Sequence, residues 1–221
     1  MGRKALSAIR RRELAAAAHA SLARHGMPGT TLARVAEEAG VSKASVLHYF
    51  RTKEELLEAA LRHGNSRLRD EVAAMMRVAR NPWERIYAVI EANLSPRAFR
   101  PPIAHGWISL SAAVPHNRQY QRIQTVIYAR TRSNLVGPLR ELSDAATAEL
   151  MTGAMISVID GVWLRCSLSL GGMTAAEAKA QFELLLDARF PESPERADAR
   201  DAMAGACRVL MASKGIETGG A

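Results

Sequence analysis

At 221 residues with 48% hydrophobic and 24% charged content, the chain can bury a substantial core, which argues against a largely disordered protein. The formal charge of +8 is unevenly spread: residues 1–53 hold 10 Lys and Arg against 3 Asp and Glu, while residues 54–221 hold 20 against 19. Two cysteines, Cys166 and Cys207, each inside an apolar helical pattern, give little support to a disulfide framework or a cysteine metal site and fit a reducing cytoplasm.

The first segment, MGRKALSAIRRRELAAAAHASLA, starts like a signal peptide, but Glu13 and His19 interrupt an apolar part that is mostly alanine. It reads as a basic arm, with Arg10, Arg11 and Arg12, leading into a helix. Leu14, Ala17, Ala18 and Leu22 form the inward stripe, which Gly26 and Pro28 end. The arm suits a phosphate or minor-groove contact, and a solvated basic face explains it equally well.

Next, TTLARVAEEAG places Leu32, Val35, Ala36 and Ala39 on one stripe of a short amphipathic helix. Thr30 or Thr31 can cap it, Gly40 can end it in the left-handed conformation, and Ser42 can cap a second helix. There Val46 and Phe50, four apart, point inward. Lys43, Ala44, Ser45, Leu47, His48 and Tyr49 are left to face outward or rim the exposed face, which suits a DNA major groove. The pattern is that of a helix-turn-helix, although short helix pairs with a glycine turn also serve as plain core elements.

Strand signals are scarce and apolar residues recur at helical spacing nearly throughout, so the chain is expected to be all-α. Thr52 and Glu55 open a long helix with Leu57, Leu61, Leu68, Val72 and Met75 inward. Asn81, Pro82 and Glu84 open a fifth, with Trp83, Tyr87, Ile90 and Leu94 on one face. After Pro96, Pro101 and Pro102 comes a sixth, carrying Ile103, Trp107, Leu110 and Val114 and stopped by Pro115. A seventh runs from about His116 to Leu142, with Tyr120, Ile123 and Ile127 inward and Gly137-Pro138 kinking or dividing it. The eighth, Asp144 to Leu170, is apolar over most of its circumference and needs cover on several sides. Despite its apolarity, Gly153 and Asp160 argue against a membrane span. Gly171-Gly172 turns the chain, Thr174 with Glu177 makes a capping box, and Phe190-Pro191 ends the ninth helix. Two such adjacent helices suit a four-helix interface with a second copy. Ser193, Pro194 and Glu195 open a last helix with Ala202, Met203, Ala206, Val209 and Leu210 inward. Residues Gly215 to Ala221 are expected to be a disordered tail.

Trp83, Tyr87, Phe99, Trp107, Tyr128 and Trp163 lie on segments that a bundle can bring together. Asp160, one turn before Trp163, is the informative polar residue, because an acid in so apolar a helix is costly without a partner. A cation over aromatic faces would supply one. The plain alternative pairs Asp160 with Arg165 or with an arginine of another helix and leaves the tryptophans as core. His105, Ser111 and Asp160 do not make a triad, since the sequence has no nucleophile elbow, phosphate-cradling loop or metal-spaced histidine pair. No enzymatic activity, cofactor or metal is expected.

The run T-T-L-A-R-V-A-E-E-A-G-V-S-K-A-S-V-L-H-Y-F-R-T-K-E-E-L-L resembles the N-terminal domain of TetR-type repressors, a likeness covering about residues 8 to 60 and departing at Leu47, where the family often has Tyr. The resemblance implies a lysine-to-phosphate contact at Lys53. I-D-G-V-W-L-R-C-S-L-S (Ile159 to Ser169), H-Y-F in the second helix of the pair, and Trp107 resemble the BetI-type, choline-responsive branch. That likeness covers most of residues 8 to 190. It departs at Leu110 and Ser111, where bulkier aromatics often stand, and in the extra helix after Pro191.

The resulting expectation is a cytoplasmic bacterial repressor, all helical and homodimeric. It has a three-helix DNA head (1–53), a ligand-binding and dimerisation domain (54–191) and an extra C-terminal helix with a tail (192–221). Lys43, Ser45, His48 and Tyr49 are the candidates for base-edge or phosphate contacts on a palindromic duplex, with Thr31, Ser42 and Lys53 fixing register. Tyr87, Trp107, Tyr128, Asp160 and Trp163 are the candidates for an effector, with choline or a related quaternary ammonium leading. The alternatives are a neutral or acidic apolar metabolite and, outside this class, a helical dimerisation protein with an incidental basic end.

Overall fold

The computed structural model describes residues 3–168 and 172–215. The expected turn at Gly171 and most of the expected tail therefore lie outside the described residues. Those described form ten α-helices, one short 3-10 helix and no strand. They divide into two compact units. The first draws on the chain up to Arg67 and on His105–Gln124; the second draws on Leu68–Ala104 and on the chain from Thr125 onward.

In the first unit α1 (Arg3–Gly29), α2 (Leu32–Glu38), α3 (Lys43–Tyr49) and the opening turns of α4 (Lys53–Val78) close on one apolar cluster. Leu14, Ala18, Val35, Ala36, Val46, Phe50, Leu56 and Ala60 form its centre. Burying the Leu, Val and Phe side chains among them stabilises each by about 1.5–3 kcal/mol, which lets helices of seven residues hold their place. Gly26 takes φ 63° inside α1, a conformation that side-chain-bearing residues avoid. It ends the straight part of the helix, and one further turn carries Pro28. The basic arm is not a separate extension, because α1 is helical from Arg3. The α6 helix (Pro101–Ser111) lies close on α1: a Cβ on Gly106 would sit 3.4 Å from the Ala23 backbone.

The second unit is built around α5 (Pro82–Asn93), buried from Ile86 through Asn93 rather than on one face. The reason is α10 (Pro194–Ala212), which packs along it. The register of α10 also differs from the apolar pattern. Arg196, Ala199, Met203, Cys207 and Met211 are buried, while Ala202 and Val209 are exposed. A fully buried arginine starts the inward stripe, which hydrophobicity alone does not reveal. The Arg196 guanidinium donates to Glu183 (2.6 Å), Asp187 (2.7 Å), the Phe190 carbonyl (2.8 Å) and the Tyr87 hydroxyl (3.1 Å). It also lies 5.6 Å from the centroid of the Trp83 ring. Glu183, Asp187 and Glu192 stand close enough together for a metal ion, but they face this guanidinium.

The α7 helix (Arg118–Leu142) runs on through Pro138, so of the kink or division expected at Gly137-Pro138 the division does not occur. Pro138 forfeits one backbone bond, and buried Leu135, Val136 and Leu139 hold the helix across the gap. The α8 helix (Ala145–Leu168) is capped by Asp144, which accepts from the Thr147 amide at 2.9 Å, and it packs on α9 (Ala175–Asp187). Among the described helices, α8 alone is long and apolar enough to cross a membrane. Its Glu149, Asp160 and Arg165 and its packing on α9 fit a protein environment.

In the first unit the His19 ring lies 5.8 Å from that of His63, with its Nδ1 buried away from hydrogen-bond partners among the described residues. Burial, then the charges of His63 and Arg67, lower its pKa to about 4. The unfolded chain, at about 6.5, binds more protons between these values. The contribution of neutral His19 is therefore complete above about pH 6.5 and is lost as pH falls towards 4, by about 3 kcal/mol. Urea unfolding of wild type and His19→Gln should show their stability difference shifting by that amount between pH 7 and pH 4. A difference independent of pH would contradict the burial of a neutral imidazole.

Candidate nucleic-acid interface and effector site

Both helices of the candidate reading pair begin on a hydroxyl cap. Thr31 Oγ1 accepts from the Arg34 amide at 3.2 Å, and Ser42 Oγ accepts from the Ser45 amide at 3.1 Å. Each cap satisfies one amide left open by the first turn, and each hydroxyl keeps its own proton to donate outward. Between the helices Gly40 adopts φ 64°. Its amide and that of Val41 return to the carbonyls of Glu37 (3.1 Å) and Ala36 (2.9 Å), which closes the end of α2 in a tight turn.

Val46 and Phe50 are completely buried, and Lys43, Ala44, Leu47 and His48 are exposed. Ser45 and Tyr49 are half-buried, with Tyr49 edge-on to His48 at 5.0 Å. The outward face thus carries a cation, an imidazole, a hydroxyl and a phenol on one short helix, the donor and acceptor types that read base edges and phosphates.

The basic residues around this pair have internal partners. Lys53 donates to the Met27 carbonyl at 2.8 Å, Arg34 to the Gly29 carbonyl, and Arg11 to the Tyr49 carbonyl while stacking 4.2 Å from the centroid of Phe50. Positive side chains at helix C-termini satisfy open carbonyls and suit the helix dipole. Lys53 retains two further N–H donors.

Of the effector candidates, Tyr128 and Asp160 come together: the phenol donates to Asp160 Oδ2 at 2.8 Å. Asp160 is therefore met by a phenol of α7. Among the described residues no ion pair joins it to Arg165 or to an arginine of another helix, the two partners of the plain alternative. Burial raises its pKa, and the Tyr128 bond opposes that shift. One turn on, buried Trp163 stands edge-on to Phe99 at 6.2 Å. Tyr87 is placed elsewhere. It is buried on α5, donates to Glu183 at 3.0 Å and accepts from Arg196, and burial foremost pushes its pKa up to about 12. Trp107 lies half-buried on α6 in the first unit. Phe99 was visible only as one aromatic among several. The role of Arg11 at Phe50 spans 39 positions and leaves no local signal.

A family model described as bacterial regulatory proteins, tetR family, matches residues 14–60, and one described as the C-terminal part of a BetI-type transcriptional repressor matches residues 82–191. The chain belongs to the TetR family. A regulator named BetI from Burkholderia ambifaria is 36% identical over 167 residues, covering 74% of this chain and 84% of that one. One named BetI 2 from Chromohalobacter salexigens is 33% identical over 189 residues, covering 85% and 91%. The fold is shared with a Saccharomonospora viridis regulator solved in complex with choline, at a TM-score of 0.74 and 18% identity over 82% of this chain and 97% of that one. The TetR-family match spans α2 and α3, and the chain is a DNA-binding transcriptional regulator. The α10 helix lies beyond the BetI-type match.

Proposed function

We propose that this TetR-family regulator is a cytoplasmic bacterial repressor that binds a palindromic operator as a homodimer and leaves it when a small cation occupies its second unit. The observation that carries the DNA part is the capped α2–α3 pair with Lys43 and His48 exposed on α3. Two such helices must stand one duplex turn apart, about 34–36 Å, to read two half-sites. Lys43, Ser45, His48 and Tyr49 are assigned to the groove, and the outward protons of Thr31, Ser42 and Lys53 to phosphates.

Affinity for duplex DNA should fall steeply with salt. Lys53→Ala should reduce the slope of log K against log salt by about one unit, as one lost phosphate neutralisation requires. Weak binding indifferent to salt would remove the DNA assignment.

Dimer formation is supported by the outer face of α8. Leu150 (74% exposed), Leu164 and Leu168 lie in line with exposed Gly153, Ser157 and Gly161, and Leu184 of α9 is 69% exposed. Large apolar residues flanking small ones let a second helix pair approach closely, and monomers rarely leave such patches in water. Sedimentation at micromolar concentration should give a dimer, and Leu150→Glu with Leu184→Glu should give a folded monomer. A wild-type monomer would refute the assignment.

The effector reading rests on Asp160, Tyr128, Trp163 and Phe99, and on the choline-bound neighbour of the same fold. A trimethylammonium group offers no conventional N–H donor, so recognition falls to aromatic faces and a carboxylate, at about 2 kcal/mol for each good desolvated contact. The second reading is a neutral or acidic apolar ligand; burial raises the Asp160 pKa, which disfavours the bare carboxylate that a cation would meet. Calorimetry separates them. Choline should give heat with wild type and bind Trp163→Ala about 30-fold more weakly, the factor for 2 kcal/mol. No heat with wild type, or equal binding by the variant, would leave the second reading standing.

A further inference from the structure

We propose that Arg11 is a positioning residue for operator recognition: its guanidinium, lodged between the Tyr49 carbonyl and the Phe50 ring, sets the C-terminal end of the reading helix α3 against α1. This rests on the reading of α3 as the helix that enters the groove. Sequence alone groups Arg11 with Arg10 and Arg12 as one basic arm, but the structure separates them. Arg10 pairs with Glu13 one turn on, at 2.8 Å. Arg11 turns to the α3 end, where it donates through Nη1 to the Tyr49 carbonyl and places its central carbon over the Phe50 ring, 4.2 Å from the centroid.

The place is sensitive for three reasons. The α3 helix has only seven residues, so its last carbonyls are a large share of its backbone groups, and Arg11 satisfies one of them. Phe50, which ends the helix in an extended conformation and returns its amide to Val46 at 2.9 Å, is completely buried in the core of the first unit. The ring is thus fixed, and the guanidinium of the exposed Arg11 lies over it. Tyr49, whose carbonyl is held, carries one of the side chains assigned to DNA and sits edge-on to His48, which carries another. A rotation of the helix end therefore moves both. Arginine is suited to this and lysine less so, since a planar fork can stack on a ring and donate in its own plane at once.

A positioning role and a phosphate contact predict different things, because phosphate contacts are read by salt and positioning by specificity. The test uses full-length protein and a duplex enriched by wild type from a randomised pool, with an unrelated duplex of equal length as the non-specific reference. For Arg11→Ala, affinity for the enriched duplex should fall about tenfold or more, with the slope of log K against log salt unchanged and non-specific affinity nearly unchanged. Hydrogen exchange should show the α3 amides opening faster while those of α4 keep their protection. Arg11→Lys keeps charge and a donor but not the planar group over the ring, and should recover only part of the loss. Arg11→Met, which can still pack on the ring, serves if the alanine variant does not fold, and should likewise lose specificity without losing slope. A slope reduced by about one unit would make Arg11 a phosphate contact and overturn the proposal. So would equal losses on both duplexes, or full recovery by lysine. A wild-type chain that enriches no duplex would instead overturn the reading of α3 itself.

Discussion

Short helices leave most of their backbone ends open, and the DNA-reading unit depends on how those ends are closed. A helix of seven residues makes only about three internal bonds while leaving amides open at one end and carbonyls at the other. Both α2 and α3 are that short. Hydroxyls close the amide ends at Thr31 and Ser42, and the Gly40 turn closes the carbonyl end of α2. Cations close the remaining carbonyls: Arg34 and Lys53 after the kink in α1, and Arg11 after α3. The residue types that suit a polyanion are thus the same ones that hold the helix ends. Substitution of any of them disturbs structure and affinity together, which is why salt slope separates the roles and affinity alone does not.

The second unit solves a different problem, the burial of charge. Glu71 and Glu91 are almost wholly buried on α4 and α5. Ser95 and Arg97 meet the first, and Lys179 meets the second at 2.7 Å. Arg196 is the extreme case, with no exposed surface and partners in α5 and α9 as well as in the segment before α10. Removing one side of such a network leaves the other side buried and uncompensated, at about 3–5 kcal/mol. The α10 helix is therefore part of the packed second unit although it lies beyond the BetI-type match, and its arginine takes the Tyr87 hydroxyl for itself.

The helices, their caps and the two faces of α3 were legible in the sequence because each is set by residues three or four apart: Thr31 with Arg34, Ser42 with Ser45, Thr174 with Glu177, Val46 with Phe50. Legibility ended where partners are remote. Tyr87 was read by its ring as a ligand wall, and its hydroxyl finds Arg196 109 positions away. The inward face of α10 was misplaced because a buried arginine breaks the apolar count that defines a face. Asp160 was recognised as needing a partner from its apolar neighbours alone, but that the partner is the phenol of Tyr128 depends on how α7 packs on α8, which no local pattern carries.

The uneven charge of the chain follows from these pairings. In the second unit Glu149 is held by both Arg132 and Arg140, Glu141 by Arg85, and Glu183 by Arg196 and Arg200. Acids and bases there largely cancel through direct contact, and little field extends beyond the unit at physiological salt. Residues 1–53 have too few acids for this, 3 against 10 bases. Bonds to neutral carbonyls fix the positions of Arg34 and Lys53 without cancelling their charge. The excess remains for an external polyanion, with attraction that reaches about a Debye length into solvent. The same accounting applied to α8 singles out one acid. Glu149 is neutralised by two arginines, whereas Asp160 is stabilised by a phenol that brings no positive charge. A half-buried carboxylate in that condition gains more from an arriving cation than a paired one would, because the cation supplies charge where the protein supplies only a hydrogen bond.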